Sequence, residues 1–164
     1  MNLISIESLC GLSAVGTYST IEYADIKSVD PNKWDYPSEA RVDRLFDNDL
    51  FLSGKDWLKM PAIIKNKSLA GNVTRSAHGE FVTADIKVFI PFFNNEITIE
   101  MAKLMHRKMI VKVNLDDGYY LIGTPQYPLL FDYGFGTSTQ AAGTKGYNCV
   151  WRGEMPNLAR MMQQ

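Results

Sequence analysis

Hydrophobic and polar positions alternate most regularly between residues 79 and 90, where Val82, Ala84, Ile86, Val88 and Ile90 share one parity and Thr83, Asp85 and Lys87 the other. A period of two predicts a strand with one buried face, and Pro91 closes it because proline cannot continue a hydrogen-bonded ladder. Past Pro91 to Asn95 the period lengthens, and Ile97, Met101, Leu104 and Met105 fall on one helical face. Asn94 or Asn95 is placed to cap this helix, Glu96 and Glu100 lie in its early turns, and Lys103, His106, Arg107 and Lys108 lie late. That charge order complements the helix dipole. The pattern predicts one principal helix, about 95–107.

Met109 to Val113 is β-branched and apolar, Asp116-Asp117-Gly118 supplies a tight turn, and Tyr119 to Gly123 returns, which predicts a hairpin. A second hairpin follows. Leu129, Phe131, Tyr133 and Phe135 alternate with Leu130, Asp132 and Gly134, and Tyr147, Cys149 and Trp151 alternate with Asn148, Val150 and Arg152. The polar stretch from Gly136 to Gly146 joins them and is longer than a close turn needs, so it reads either as a mobile tip or as a surface that orders on a partner. Upstream, Thr20 to Ile26 and Leu50 to Leu58 read as strands. Ile63 to Ser76 reads as a longer strand pairing with residues 80 to 90 around Ala77-His78-Gly79. Residues 28–49, with Pro31, Pro37 and charges of both signs, read as a long surface excursion. The tail, 155–164, reads as a docking arm or as a frayed end. The expected fold is α+β, mainly antiparallel β-sheet with the helix packed on a sheet face, in a single domain spanning 1–164.

Composition agrees with such a core. Of 164 residues, 46% are hydrophobic and 12% aromatic, and at this length folding hides roughly 70% of the extended chain's surface, so neither disulfides nor a metal is required. A net charge of −1 gives no general pull toward nucleic acid or acidic membranes, and neither is expected as a partner. No apolar stretch approaches the roughly 20 residues that cross a bilayer. The segment Met1 to Cys10 has no basic region and is interrupted by Glu7, so it does not read as a signal peptide.

The chain carries few marks of chemistry. Cys10 and Cys149 sit outside any CxxC spacing and read as buried small hydrophobes. His78 and His106 are the two histidines; neither lies in a Gly-x-Ser-x-Gly, Cys-His or HExxH signature. Gly134-Phe135-Gly136 and Gly143-Thr144-Lys145-Gly146 lack the order of a phosphate loop, and Asp116-Asp117-Gly118 lacks the remaining ligands of a calcium loop. No catalytic, cofactor or metal site is expected. The aromatic set Phe131, Tyr133, Phe135, Tyr147 and Trp151 reads as sheet packing, or else as the lining of a groove.

The strand from Phe81 to Ile90, the helix, Met109 to Val113, and then Asp116 to Gly123, Tyr127-Pro128-Leu129-Leu130-Phe131 and Gly146 to Gly153 together resemble a group of uncharacterised bacteriophage and prophage structural proteins. In that group the strand, helix and strand lead into a D-G-x-x-Y-x-L-G hairpin, a P-L-x-F strand, a polar tip and a final G-Y-x-x-x-F-x-G strand. The likeness covers roughly the C-terminal half; Trp151 stands where phenylalanine is usual, and Gly118 is followed by two tyrosines.

The resemblance implies a non-enzymatic tail or neck subunit, found in the virion or in the bacterial cytoplasm during assembly, self-associating or binding other phage structural proteins. It supplies no functional residue. The polar tip and the Met-bearing tail nominate an interaction surface: Ser138, Thr139, Gln140, Lys145, Met155, Met161 and Met162. Two other readings stay open: a small carbohydrate- or peptide-binding β module using the aromatics, and a hydrolase using His78.

Overall fold

The computed structural model describes residues 3–6, 18–31, 50–63, 68–76, 79–91, 94–115, 118–136, 145–156 and 160–162. The elements are β1 (Tyr18–Asp25), a 3-10 turn (Ile26–Ser28), β2 (Leu58–Ile63), β3 (Ser68–Ser76), β4 (Gly79–Ile90), the helix α1 (Asn95–Leu104), β5 (Lys108–Leu115), β6 (Gly118–Ile122), β7 (Leu129–Gly136), β8 (Gly146–Met155) and β9 (Arg160–Met162). The fold is α+β, mainly antiparallel, with one α-helix among the described residues.

The strands join one nine-stranded sheet in the order β2-β1-β5-β7-β8-β4-β3, and β6 and β9 extend it from β5. The sheet branches at β5. One edge of β5 takes β1 over Met109 to Val113, while the other takes β7 at Lys108 and Met109 and then β6 from Val111 to Leu115. Two strands can share one edge because β6 and β7 run in the same direction along β5, and the chain between them only loops out, at Gly123, whose φ of +85° suits glycine, with Thr124 donating its N–H to the Tyr127 carbonyl at 3.0 Å. At the far side β2 comes within 8 Å of β4 between Cα atoms, so the sheet curls back on itself and β3 projects beyond the near-closure.

The inside of the curl holds the main core. Ile21 and Tyr23 of β1, Val82 to Ile90 of one parity on β4, Met109, Val111 and Val113 of β5, and Tyr147, Cys149 and Trp151 of β8 all point inward. Helix α1 lays Ile97, Met101 and Leu104 on this core. Its start is fixed from two sides: Asn94 Oδ1 accepts the Glu96 N–H at 2.6 Å, and the Tyr147 hydroxyl of β8 meets Thr98 Oγ1 at 2.5 Å. Residues 3–6 close the remaining gap, with Ile6 fully buried and the Ile4 N–H donating to Glu100 Oε2 at 3.3 Å. Glu100, only 4% exposed, is also ion-paired with Lys103 one turn on. A smaller cluster on the outer face, Ala24, Val29, Leu50, Phe51 and Ile110, covers β1 and β5 and meets Trp57 and, on β6, Leu121.

Three expectations change. The helix ends at Leu104, three residues early, because Arg107 leaves the helical path to donate from Nη1 to Asp25 Oδ2 at 2.8 Å. Leu50 to Leu58 is not a strand: Phe51 makes an isolated bridge to Val29, Gly54 turns the chain at φ +73°, and pairing starts at Leu58. Ile63 belongs to β2, opposite Tyr18, so the strand expected over Ile63 to Ser76 begins at Ser68. Most of the 28–49 excursion lies outside the described residues; its described start is the 3-10 turn and the Val29 bridge.

Candidate functional site

A cleft of about 460 Å³ opens between the 3-10 turn, the Gly54 to Leu58 segment and Arg107. Asp25 forms its floor. Its Oδ1 accepts the Lys27 N–H at 3.0 Å while Oδ2 holds Arg107, and with 5% of its surface exposed it is buried beneath them. The pair therefore clasps the end of β1 to the end of α1, and acid and base are spent on each other. Lys27, Lys55 and Asp56 line the rim with mixed sign, and Trp57 closes one wall, stacked edge-on against Phe51 at 5.3 Å between ring centroids. Among the described residues no histidine or cysteine lines the cleft, and no group of three His, Cys, Asp or Glu is placed to hold a metal.

Two titratable groups of the core, Cys149 and Tyr23, are held neutral. Burial pushes the Cys149 thiol far above its ordinary value, and its Sγ packs at 3.9 Å from Met101 Sδ. Burial also raises the Tyr23 hydroxyl, the charge of Glu100 raises it further, and the Ile6 backbone amide offsets part of the shift. A thiol kept protonated is a poor nucleophile. The consequence for stability has a definite sign. Unfolded chain ionises these groups near pH 8.5 and 10, the fold retains their protons to higher pH, and so stability is full below about pH 8.5 and falls as pH rises. The urea midpoint is expected to stay level between about pH 7 and 8 and to decline between about pH 9 and 11, with Tyr23→Phe flattening the upper part of the decline. A midpoint that climbs over that interval contradicts this account of the core.

The aromatic set does not line a groove. Phe131, Tyr147 and Trp151 are buried in the main core, Tyr133 packs against it partly buried, and only Phe135, near the end of β7, is half exposed. Of the residues nominated from sequence, Lys145 is exposed just before β8, whereas Ser138, Thr139 and Gln140 lie outside the described residues, as does His78. Met155 is a correction: at 7% exposure it belongs to the core opposite Val82, because the inward parity of β8 runs to the strand's last residue. Met161 and Met162 sit in β9, opposite Tyr120 and Tyr119 of β6, so this part of the tail is docked on its own sheet.

What the sheet does present is edges, and they differ. Along β2 the sequence carries Lys59 and Pro61, and Ser5 Oγ both donates to the Lys59 carbonyl at 2.8 Å and accepts its N–H at 3.0 Å. β9 is three residues long. β3 is nine residues, SLAGNVTRS, paired on one side with β4 along its whole length, with no proline, no lysine and no acidic residue. Ala70, Gly71, Asn72, Val73 and Thr74 are exposed on both faces. Val73 shares the inward parity of Val82 yet is 54% exposed, since the core stops at β4 and β3 overhangs it. Short length, charged side chains, proline and side-chain cover are the ordinary shields of sheet edges, and β3 carries of these only Arg75, near its end, with Ala70 to Thr74 exposed. The sequence pattern predicts this strand but not its outermost place, which comes from the order of the strands.

No family model, curated protein or solved structure matches this chain.

Proposed function

We propose that the chain is a non-enzymatic assembly subunit of the phage or prophage tail or neck type that its C-terminal half resembles, acting in a virion, or in the bacterial cytoplasm before assembly, by contact with copies of itself and other structural proteins. One observation carries the reading: among the described residues the sheet has two shielded edges and a third, β3, that is nine residues long and paired on one side only. An open edge offers a row of backbone donors and acceptors that another chain can complete, which costs a solitary protein solubility and serves one that assembles. Among the described residues no helix is long and apolar enough to cross a membrane.

Light scattering across a concentration series is the test. The average mass is expected to rise with concentration, and a strict monomer up to about 100 μM overturns the reading, because edge contacts of this size act in the micromolar range. A shortened tip lacking Ser138 to Thr144 is expected to keep its melting temperature within about 2 °C, as surface changes remote from a core do, while weakening higher assembly. Loss of the fold would instead place that segment in the core.

A further inference from the structure

We propose that β3 pairs with the β3 of a second copy, antiparallel about a two-fold axis at Asn72, which rests on the assembly reading and gives it a register. Residues directly opposite in an antiparallel ladder lie on the same face of the sheet, so pairing that keeps both cores on one side joins residues of equal parity. Among such registers the one centred on Asn72 uses all nine residues of the strand: Ser68 faces Ser76, Leu69 faces Arg75, Ala70 faces Thr74 and Gly71 faces Val73. Slipping the centre to Gly71 or Val73 keeps the parity match but shortens the ladder.

The chemistry of the strand suits this pairing. Val73 is the exposed branched residue on the core side, and the position that meets it on the second copy is Gly71, which has no side chain to obstruct it. On the other face Asn72 meets Asn72, an amide pair that can donate and accept reciprocally. Arg75 is the strand's one charge, and the symmetry places it opposite Leu69 rather than opposite itself. The interface is isologous and closes at two copies along this edge, leaving β7 and β8 outside it for other neighbours.

The experiment compares wild type, Val73→Glu, Gly71→Lys and their equimolar mixture by sedimentation velocity, with circular dichroism and melting temperature confirming that each chain is folded. Wild type is expected to dimerise with a Kd on the order of 10–100 μM, a single-strand edge being smaller than a standard interface. Each single variant is expected to weaken dimerisation at least tenfold, since two like charges then sit diagonally across the axis. The mixture is expected to restore dimers, because the lysine introduced at position 71 of one chain would face the glutamate introduced at position 73 of the other. As a second measurement, Asn72→Cys in a Cys10→Ser background is expected to cross-link on mild oxidation faster than Ala70→Cys. Cα atoms directly opposite in a ladder lie about 4.5–5.5 Å apart, within disulfide reach.

A wild type that stays monomeric overturns both this pairing and the assembly reading. Association that neither variant weakens overturns the pairing and leaves assembly standing. Weakening in both variants without recovery in the mixture, or equal cross-linking at positions 70 and 72, also overturns the two-fold register and points to a strand from a different protein at this edge.

Discussion

Replacing Trp151 with alanine is expected to lower stability by about 3–5 kcal/mol, the range for emptying a large aromatic site, and the melting temperature by roughly 8–15 °C for a domain of this size. Trp151 is fully buried at the middle of β8, between Ile86 of β4 and Phe131 of β7, with ring centroids 5.0 Å from Phe131 and 6.1 Å from Tyr23. Its ring meets side chains of β1 and β7 at once, so its loss opens a cavity that no single neighbour can fill. Trp151→Phe is expected to cost far less, about 1.5 kcal/mol at most. The smaller ring loses contacts, but it also removes an indole N–H that finds no acceptor among the described residues, and an unmet buried donor itself costs about 1–3 kcal/mol. Thermal melts of the two variants decide the matter: equal losses would mean that the indole nitrogen is satisfied and the site is filled by shape alone.

The core and the open edge are linked through β4. Its inward residues are held by β8, and β8 is held by Trp151 and by the Tyr147 contact with the helix N-terminus. The described side chains of β3, Ala70 to Thr74, are exposed, and the strand is held by its ladder to β4. A loosened core therefore weakens association without any change at the edge. For this reason the edge variants are read only where the melting temperature is unchanged, and Trp151→Ala is expected to lose both.

How much was legible in the sequence follows from where burial is one-sided. Residues 79–90, 129–136 and 146–155 have one wet face and one dry face, so their alternation is clean and their strands stand where the pattern puts them. The helix start was legible because Asn94 caps it; its end was not, because the residue that draws the chain away, Asp25, is 82 positions from Arg107. Leu50 to Leu58 looks strand-like because Leu50, Phe51 and Trp57 are apolar, but they form a lid over Ala24 and Ile110, an arrangement with no period. The edge was illegible for a different reason: a pattern shows which face a residue takes, whereas the order of strands in a sheet comes from long-range pairing, and only that order makes β3 outermost.

Gly146→Ala is expected to destabilise the protein by about 3 kcal/mol, at the upper end for forcing atoms into a packed site. A Cβ at this position would lie 2.2 Å from the Ile90 carbonyl oxygen and 2.7 Å from Phe89 Cζ. The first obstacle is backbone, so a rotamer change cannot relieve it, and either the end of β4 or the start of β8 must move. Ile90 pairs with Tyr147, the next residue, whose hydroxyl holds Thr98 and the Asn94 carbonyl at the head of the helix. The displacement thus reaches the helix as well as the ladder. Gly134→Ala is the matching control in the adjacent strand: an added Cβ there meets nothing within 4 Å, and replacing a strand glycine is expected to be neutral or to stabilise by about 0.5 kcal/mol. Urea melts of both variants test the difference, and a Gly146→Ala protein as stable as Gly134→Ala would show that β8 does not cross the end of β4 this closely.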